Sequence, residues 1–403
     1  MLGKDLDRLQ RLLRVASRLP AGERVSFLAQ AEPTRAELRD EVCSLLSHDG
    51  DRGELCAPHL SEPTEIGPYH LHDRLGEASP ARLYRAWHVD RPSDPLLVAV
   101  AGPGPAAQQV ALALEGQVVR QRDLADPIMA RILDAGSTAS SHLYAAFEGI
   151  EGVPLAEFCD VLTLSLVDRV ALIEQVALAV ERAHQAGVAP LGLMPWSVLG
   201  SWHIGAPVVR LIAVDPWPLL ALLEPERRAE ADLLAGLETS APEALRGEAR
   251  GVQTDVFALG ALLFESVTGT APLGLRRLAG HRGLRDELRM AARIVAPLAS
   301  ERVERLGRRT EEIARRRATK LEPLLRDLRS GLDGLLARAL SPDPTQRPPC
   351  AAAFAGELAA WRTSGRGGVL NSARDFGRRL VAGIGAVVPR IHGAGREAPP
   401  GPE

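Results

Sequence analysis

Apolar residues recur along the chain at intervals that change from one region to the next. Within residues 1–48 they follow helical spacing, in one stripe over 6–15 and a second over 38–46. Pro20 starts a new segment between the stripes, so this N-terminal extension is predicted to form two or three short amphipathic helices. Residues 49–66 contain glycine, proline and acidic residues without periodicity, which is typical of a linker.

After residue 66 the pattern changes to short β-type runs. Strands are predicted over residues 69–75, 82–88, 96–100, 131–133 and 143–147, with one helix over 106–125. Helical spacing then predicts a long amphipathic helix over 167–186 and a very apolar helix over 256–268. The chain thus passes from a strand-rich part to a helix-rich part.

Residues 274–329 combine helical spacing with a basic surplus of sixteen Lys and Arg against eight Asp and Glu. The apolar residues at helical spacing are Val303, Leu306, Ile313, Leu321, Leu324 and Leu328. We therefore expect residues 300–329 to be largely helical, with the arginines facing outward. Two interpretations stay open for the segment, a long solvated surface helix and a basic element that docks a partner protein.

The tail at residues 363–403 is rich in glycine and arginine and contains an amphipathic stretch over 370–391. Its apolar run is too short to span a bilayer. The alternatives are a segment lying on an anionic membrane surface, a docked tail and a tail without fixed structure.

Composition narrows the class of protein. An apolar content of 46% and a charged content of 25% are typical of a soluble globular protein, and the net charge of −3 argues against a nucleic-acid partner. The cysteines lack metal-ligand spacing; they are Cys43, Cys56, Cys159 and Cys350. Because there is neither a signal peptide nor a run of about 18 apolar residues, we expect a cytoplasmic protein, membrane-peripheral only if the tail binds lipid.

Two segments of the helix-rich part carry a family resemblance. Ala-Pro-Glu at 241–243, followed by an Asp-bearing helix start at Asp255, resembles the corresponding segments of bacterial Ser/Thr protein kinases. Asp-Pro-Thr-Gln-Arg-Pro at 343–348 resembles the family's late Asp-Pro-x-x-Arg-Pro turn. In that family the Glu and the late Arg form a buried ion pair, which implies a pair between Glu243 and Arg347. The resemblance also implies that Asp255 accepts hydrogen bonds from the backbone at the helix start and holds the catalytic loop in shape.

The resemblance extends over residues 67–362 and implies a two-lobed protein kinase-like fold of the α+β class. The small β-rich lobe is expected at 67–148 and the large helical lobe at 149–362, with the basic insertion at 274–329. Residues 75–84 resemble the Gly-rich phosphate loop and keep Gly76, but alanines replace the second and third glycines and Pro80 removes a backbone donor. The hinge expected at Phe147 and Glu148 could still hold an adenine base.

Protein kinases neutralise phosphate charge with a lysine and metal ions and orient the acceptor hydroxyl with an aspartate. Val-Ala-Val-Ala at 98–101 resembles the strand that carries the lysine, with Ala101 in its place. The only lysines of the chain are Lys4 and Lys320, so no other alignment restores it. Gln117 stands where the partner glutamate of that lysine is expected.

The loop over residues 183–199 keeps the framework residues of the family's catalytic loop but not the residues that do its chemistry. Gly192 occupies the position of the catalytic aspartate, Met194 that of the loop lysine and Ser197 that of the metal-binding asparagine. His184 is expected to be a packed or helix-capping histidine rather than a base. In the following strand, Ala213 stands for the metal-binding aspartate, and Asp215 reaches that position only with a shift of two residues.

We therefore predict a pseudokinase that binds another protein, such as an active kinase or its substrate, with no catalytic residues, no metal and no cofactor. One alternative is a divergent kinase that uses ATP and magnesium through Arg82 or Arg85 and Asp215. Another is a membrane-surface scaffold that acts through residues 370–391.

Overall fold

The structure is a computed structural model and describes residues 2–48, 64–78, 81–102, 107–121, 124, 126–189, 191–213, 234, 237–278 and 283–364. The chain begins with three helices, α1 (Leu2–Ser17), α2 (Arg24–Ala31) and α3 (Ala36–His48). Their buried side chains, among them Leu12 and Phe27, belong to the same apolar core as the large lobe. The N-terminal extension therefore completes the packing of that lobe, a role that its helical periodicity did not indicate.

A six-stranded antiparallel sheet follows, with strand order β1-β2-β3-β4-β6-β5. Its elements are β1 (Glu65–Ile66), β2 (Tyr69–Ala78), β3 (Ala81–His88), β4 (Arg91–Ala101), α4 (Ala107–Gln121), β5 (Ile132–Ser137) and β6 (Leu143–Glu148). Within β4, Val98 and Val100 pack in one apolar cluster while Leu97 and Ala99 pack in another. Both faces of the sheet are thus covered, which explains the nearly continuous apolar run in this strand.

The large lobe combines a three-stranded sheet with helices. Its elements are β7 (Val153–Pro154), α5 (Leu155–Val161), α6 (Leu166–Gln185), β8 (Val198–His203), β9 (Ala206–Leu211), α7 (Pro242–Leu245), α8 (Val252–Thr268), α9 (Leu284–Ala291), α10 (Ala299–Glu304), α11 (Thr310–Arg316), α12 (Leu321–Asp327), a π-turn (Leu328–Leu332), α13 (Asp333–Ala339) and α14 (Ala351–Thr363). Fourteen of the seventeen residues of α8 are buried, so this helix is the centre of the lobe. A Cβ atom on Gly260 would lie 2.8 Å from Ala339, so glycine permits the close contact of α8 with α13.

The basic segment 274–329 differs from the predicted surface helix. It forms a series of short helices, and Val303, Ile313 and Leu324 are buried in the main core. The expectation that its arginines face outward is wrong at Arg317, of which only 1% is exposed. The reason is tertiary, because acceptors from α5 and α8 surround that guanidinium group.

Several element ends also differ from the predicted bounds. Strand β2 continues to Ala78, β4 begins at Arg91, and α4 ends at Gln121. Pairing with neighbouring strands extends β2 and β4 through polar residues of low strand propensity. Within the described ranges, none of the helices has both the length and the apolar character needed to cross a bilayer.

Candidate functional site

A buried ion pair joins α7 to the turn before α14. Arg347 donates from Nη1 to Glu243 Oε1 at 2.7 Å and from Nη2 to Oε2 at 2.8 Å. The hydroxyl of Thr254 donates to the same carboxylate, and the guanidinium group lies 5.1 Å from the ring centroid of Phe257. Burial acts to raise the pKa of Glu243, but the hydrogen bonds from Arg347 offset it and lower the pKa below its ordinary value. The pair is thus a charge-assisted, bidentate clamp between distant segments.

Asp255 connects the central helix to the loop after α6. Its carboxylate accepts the Leu191 backbone N–H at 2.9 and 3.1 Å and lies 2.7 Å from His184 Nε2. The backbone donor comes from the loop rather than from the start of α8 itself. His184 is buried and is held at the end of α6 by this contact, so its role here is structural.

The loop that should carry the catalytic groups is held by its own backbone and by packing. Gly192 has a φ of 64°, a left-handed conformation that glycine adopts without strain. The Ser197 hydroxyl accepts the Met194 N–H and donates to the Met194 carbonyl, both at 3.0 Å. Thr239 donates to the Leu193 carbonyl at 2.6 Å. Met194 and Ser197 are each 1% exposed, so neither side chain reaches an open cleft.

The small-lobe residues at the expected nucleotide-binding positions belong to the paired strands of the sheet. Ala101 is buried at the end of β4, where it pairs with Leu143 of β6 and Ala81 of β3. Gly76 lies in β2 opposite Leu83. Residues 79–80, which include Pro80 of the expected phosphate loop, lie outside the described residues.

Helix α4 contacts the large lobe through a glutamine that the sequence comparison overlooked. Gln121 donates from Nε2 to the carbonyl of Ala213 at 3.1 Å. Gln117, one turn earlier, is buried and its amide oxygen has no partner among the described residues. Positions four apart share one helix face, so the predicted importance of Gln117 could have pointed to Gln121 as well. Ala213 itself is 1% exposed and offers no metal ligand from its side chain.

The hinge prediction at Phe147 and Glu148 is corrected by the structure. Both residues lie within β6, paired with β4, and the Glu148 N–H donates to the Arg131 carbonyl at 3.0 Å. The Glu148 carboxylate is bound by Arg131 at 3.1 Å and Arg210 at 2.8 Å. The connection between the lobes therefore begins only at Gly149. The Glu148 N–H is already hydrogen-bonded to Arg131, so it is not available to an adenine base.

Two further sequence predictions cannot be placed. Asp215 and the tail stretch 370–391 lie outside the described residues. Among the described positions of the resemblance, none supplies a lysine to phosphate or a carboxylate to magnesium. Ala101 and Ala213 have no polar group, and the Ser197 hydroxyl is engaged in its own turn. These residues do not fit a magnesium–ATP complex bound as in an active kinase.

The two lobes, the buried Glu243–Arg347 pair and the loop held by Asp255 define a protein kinase-like fold. A solved structure of the PknI kinase domain of Mycobacterium tuberculosis aligns with a TM-score of 0.51 over 75% of this chain and 100% of that domain. At 17% identity, this likeness concerns the fold alone.

Curated relatives add a likeness in sequence. Serine/threonine-protein kinase PknJ of Mycobacterium tuberculosis is 25% identical over 312 residues, which cover 75% of this chain and 47% of PknJ. The probable serine/threonine-protein kinase PknB of Lactococcus lactis is 27% identical over 151 residues, which cover 37% of this chain and 23% of PknB. No protein-family model matches the chain. The chain is similar to bacterial Ser/Thr protein kinases and spans about half or less of the length of these curated relatives.

Proposed function

We propose that this chain is a pseudokinase that binds another protein and acts as a scaffold or regulator in bacterial Ser/Thr phosphorylation signalling. The observation that supports this most directly is the loop over residues 191–197. Its backbone is anchored by Asp255, while Gly192, Met194 and Ser197 are the groups at its chemical positions. A loop in this state preserves the shape of a kinase lobe without a base or a metal ligand.

Rate arithmetic favours inactivity over slow catalysis. A positioned base alone contributes ~10²–10⁴-fold, and lysine and metal act on the same transition state. Loss of all of them leaves none of these groups to stabilise that transition state. The framework, by contrast, keeps both members of a buried ion pair, either of which would be costly to bury alone. This supports a lobe whose shape, and therefore whose surface, is maintained.

The first test is phosphoryl transfer and nucleotide binding. We expect no transfer from radiolabelled ATP to the chain itself or to a general protein substrate above the enzyme-free blank. We also expect the melting temperature with ATP to be the same with and without magnesium, because the described positions offer magnesium no carboxylate. Differential scanning fluorimetry with ATP, with and without magnesium, measures the second quantity.

The control pair for this test is Asp215→Ala and Asp90→Ala, the latter removing an exposed carboxylate in the β3–β4 turn. A magnesium-dependent melting increase that persists in Asp90→Ala and disappears in Asp215→Ala would overturn the proposal. It would establish the divergent kinase in its place, with Asp215 as the metal ligand.

A partner protein with an acidic face suits the basic segment. Of the three consecutive arginines at 315–317, however, only the first is exposed enough to contact such a partner. Arg308, Arg309 and Arg315 are exposed, whereas Arg316 is partly and Arg317 fully buried. We expect the chain to change the activity of an active Ser/Thr kinase from the same organism. Replacing the three exposed arginines with Glu should weaken that effect, most strongly at low salt. An unchanged kinase rate and no binding would contradict the partner proposal.

A further inference from the structure

A cavity of about 290 Å³ lies behind the connection between the lobes. Its walls come from five parts of the fold: Pro20 after α1, the middle of β3 and β4, residues 127–128 before β5, residues 149–151, and the β8–β9 hairpin. Ala101, Gly192, Ser197 and Ala213 are absent from its lining. The cavity is therefore separate from the position of a kinase nucleotide, and its existence does not depend on whether the chain is a pseudokinase.

The lining is mostly apolar and includes an indole. Leu97, Ile128 and Val209 contribute aliphatic residues to the lining, and Trp202 also lies in the wall. Trp202 is held in place by an edge-on contact with Phe27, at 6.1 Å between ring centroids, and by its N–H, which donates to Ser26 at 3.0 Å. A fixed aromatic ring in an apolar cavity favours flat aromatic ligands.

Two acceptor groups in the lining make no hydrogen bond within the described residues. The Ser201 hydroxyl is one of them, and Ser201 is 5% exposed. The other is the carboxylate of Glu151, which lies at an exposed position of the lining and near the positive charges of Arg85 and Arg24. A ligand N–H that reaches Glu151 would gain a charged acceptor, and one that reaches Ser201 would satisfy a buried hydroxyl.

We propose that this cavity binds a small bicyclic aromatic molecule through Trp202 and apolar contacts, with a ligand N–H donating to Glu151 or Ser201. The size of the cavity, close to the lower end for small-molecule sites, suits two fused rings. The ligand touches the N-terminal extension, the small lobe and the hairpin of the large lobe at once. Its binding therefore stabilises the arrangement of all three by mass action.

The full chain labelled with 5-fluorotryptophan provides a direct readout by ¹⁹F NMR, with the Trp202 resonance assigned from Trp202→Phe. Indole serves as the probe, and benzothiophene, of nearly the same shape without the N–H, is the matched control. We expect indole to shift the Trp202 resonance saturably with a dissociation constant on the order of 1 mM or below. Benzothiophene should bind about tenfold more weakly, because it lacks the donor to a charged acceptor.

Two variants separate the site from nonspecific association. Val208→Trp fills the cavity and should abolish the shift. The double variant Glu151→Leu/Ser201→Ala lacks both side-chain acceptors and should lose most of the preference for indole. The proposal is overturned if indole gives no saturable shift at Trp202. It is also overturned if indole and benzothiophene bind equally, or if the double variant keeps the full preference.

Discussion

Ser197 illustrates how a single replaced residue changes the role of its position. An asparagine there could extend a carbonyl toward a metal, whereas the shorter serine hydroxyl is within reach of the Met194 backbone and binds it on both sides. Ala213 acts similarly, since its backbone carbonyl accepts Gln121 while its side chain is inert. At this scale, groups that could do chemistry are replaced by groups that only hold the backbone.

The Glu243–Arg347 pair carries the first stability prediction. Replacing Arg347 with Ala leaves a buried carboxylate unpaired and should lower the free energy of unfolding by ~3–5 kcal/mol. The double variant Glu243→Leu/Arg347→Met should be less destabilised than Arg347→Ala, because neither charge remains buried alone. Urea denaturation of the three proteins measures these differences, and an equal loss in the single and double variants would contradict the explanation.

The same pair predicts an acid dependence. Because the folded-state pKa of Glu243 is lowered, its contribution is complete above the ordinary value of 4.5 and is lost as the pH falls through the folded-state pKa. The stability difference between the wild-type protein and Arg347→Ala should therefore shrink at acid pH.

Glu265 in α8 predicts the opposite dependence. Burial raises its pKa to about 7, and the carboxylates of Glu238 and Asp160 act in the same direction. The folded state thus binds the proton more tightly than the unfolded state, so this residue's contribution to stability falls as the pH rises from its ordinary 4.5 to about 7. Glu265→Gln should stabilise the protein more at pH about 8 than at pH about 5 in urea denaturation. An equal effect at both pH values would exclude the predicted titration.

At the scale of elements, the end of α11 shows why a run of like charges need not be a surface. Arg317 donates to the carbonyls of Val267 at 2.9 Å and Ser266 at 2.7 Å, and to Asp160 at 3.2 Å. Arg169 shares Asp160 at 2.9 Å. The two arginines thus tie α11 and α6 to the end of the central helix.

This cluster predicts unequal effects of neighbouring substitutions. Arg317→Met removes one of the buried partners of Asp160 and leaves the two α8 carbonyls without this donor, so we expect a loss of ~3–5 kcal/mol. Arg315→Met, two residues away and exposed, should change stability by less than about 0.5 kcal/mol. Thermal and urea unfolding of both variants decide the matter, and similar effects would show that Arg317 is not a buried anchor.

At the scale of the whole molecule, the N-terminal helices belong to the large lobe's core. Phe27 stacks on Phe158 of α5 at 6.3 Å between ring centroids, and the Glu23 carboxylate accepts the Ile204 N–H at 2.9 Å. The extension thereby covers the hairpin that follows the catalytic-type loop. A packed contact of this kind couples the extension to the stability of the lobe.

Phe27→Ala should therefore destabilise the whole protein by ~3–5 kcal/mol, as expected for a fully buried phenylalanine. Val25→Ala, at a position on the same helix that is 69% exposed, is the matched control and should have little effect. Tryptophan fluorescence and far-UV circular dichroism should follow the same unfolding transition. If Phe27→Ala loses only the signal of its own helices, the extension is an independent unit.

Much of the fold was available from the chain alone. Strand alternation, helical spacing and two short motifs predict the kinase-like lobes, and the related folds and sequences confirm them. The absence of lysine between Lys4 and Lys320 follows from residue identity and needs no coordinates. Periodicity and identity are local properties, which is why the sequence by itself determines these features.

Tertiary structure alone decided which charged groups are buried and where the lobes are joined. The burial of Arg317 depends on Asp160, a partner more than 150 residues away in the chain. In the same way, sheet pairing with distant strands places Glu148 within β6, and packing on Phe158 buries Phe27. A charge or an aromatic ring is buried only where distant segments supply its partners, and local spacing carries no information about those segments.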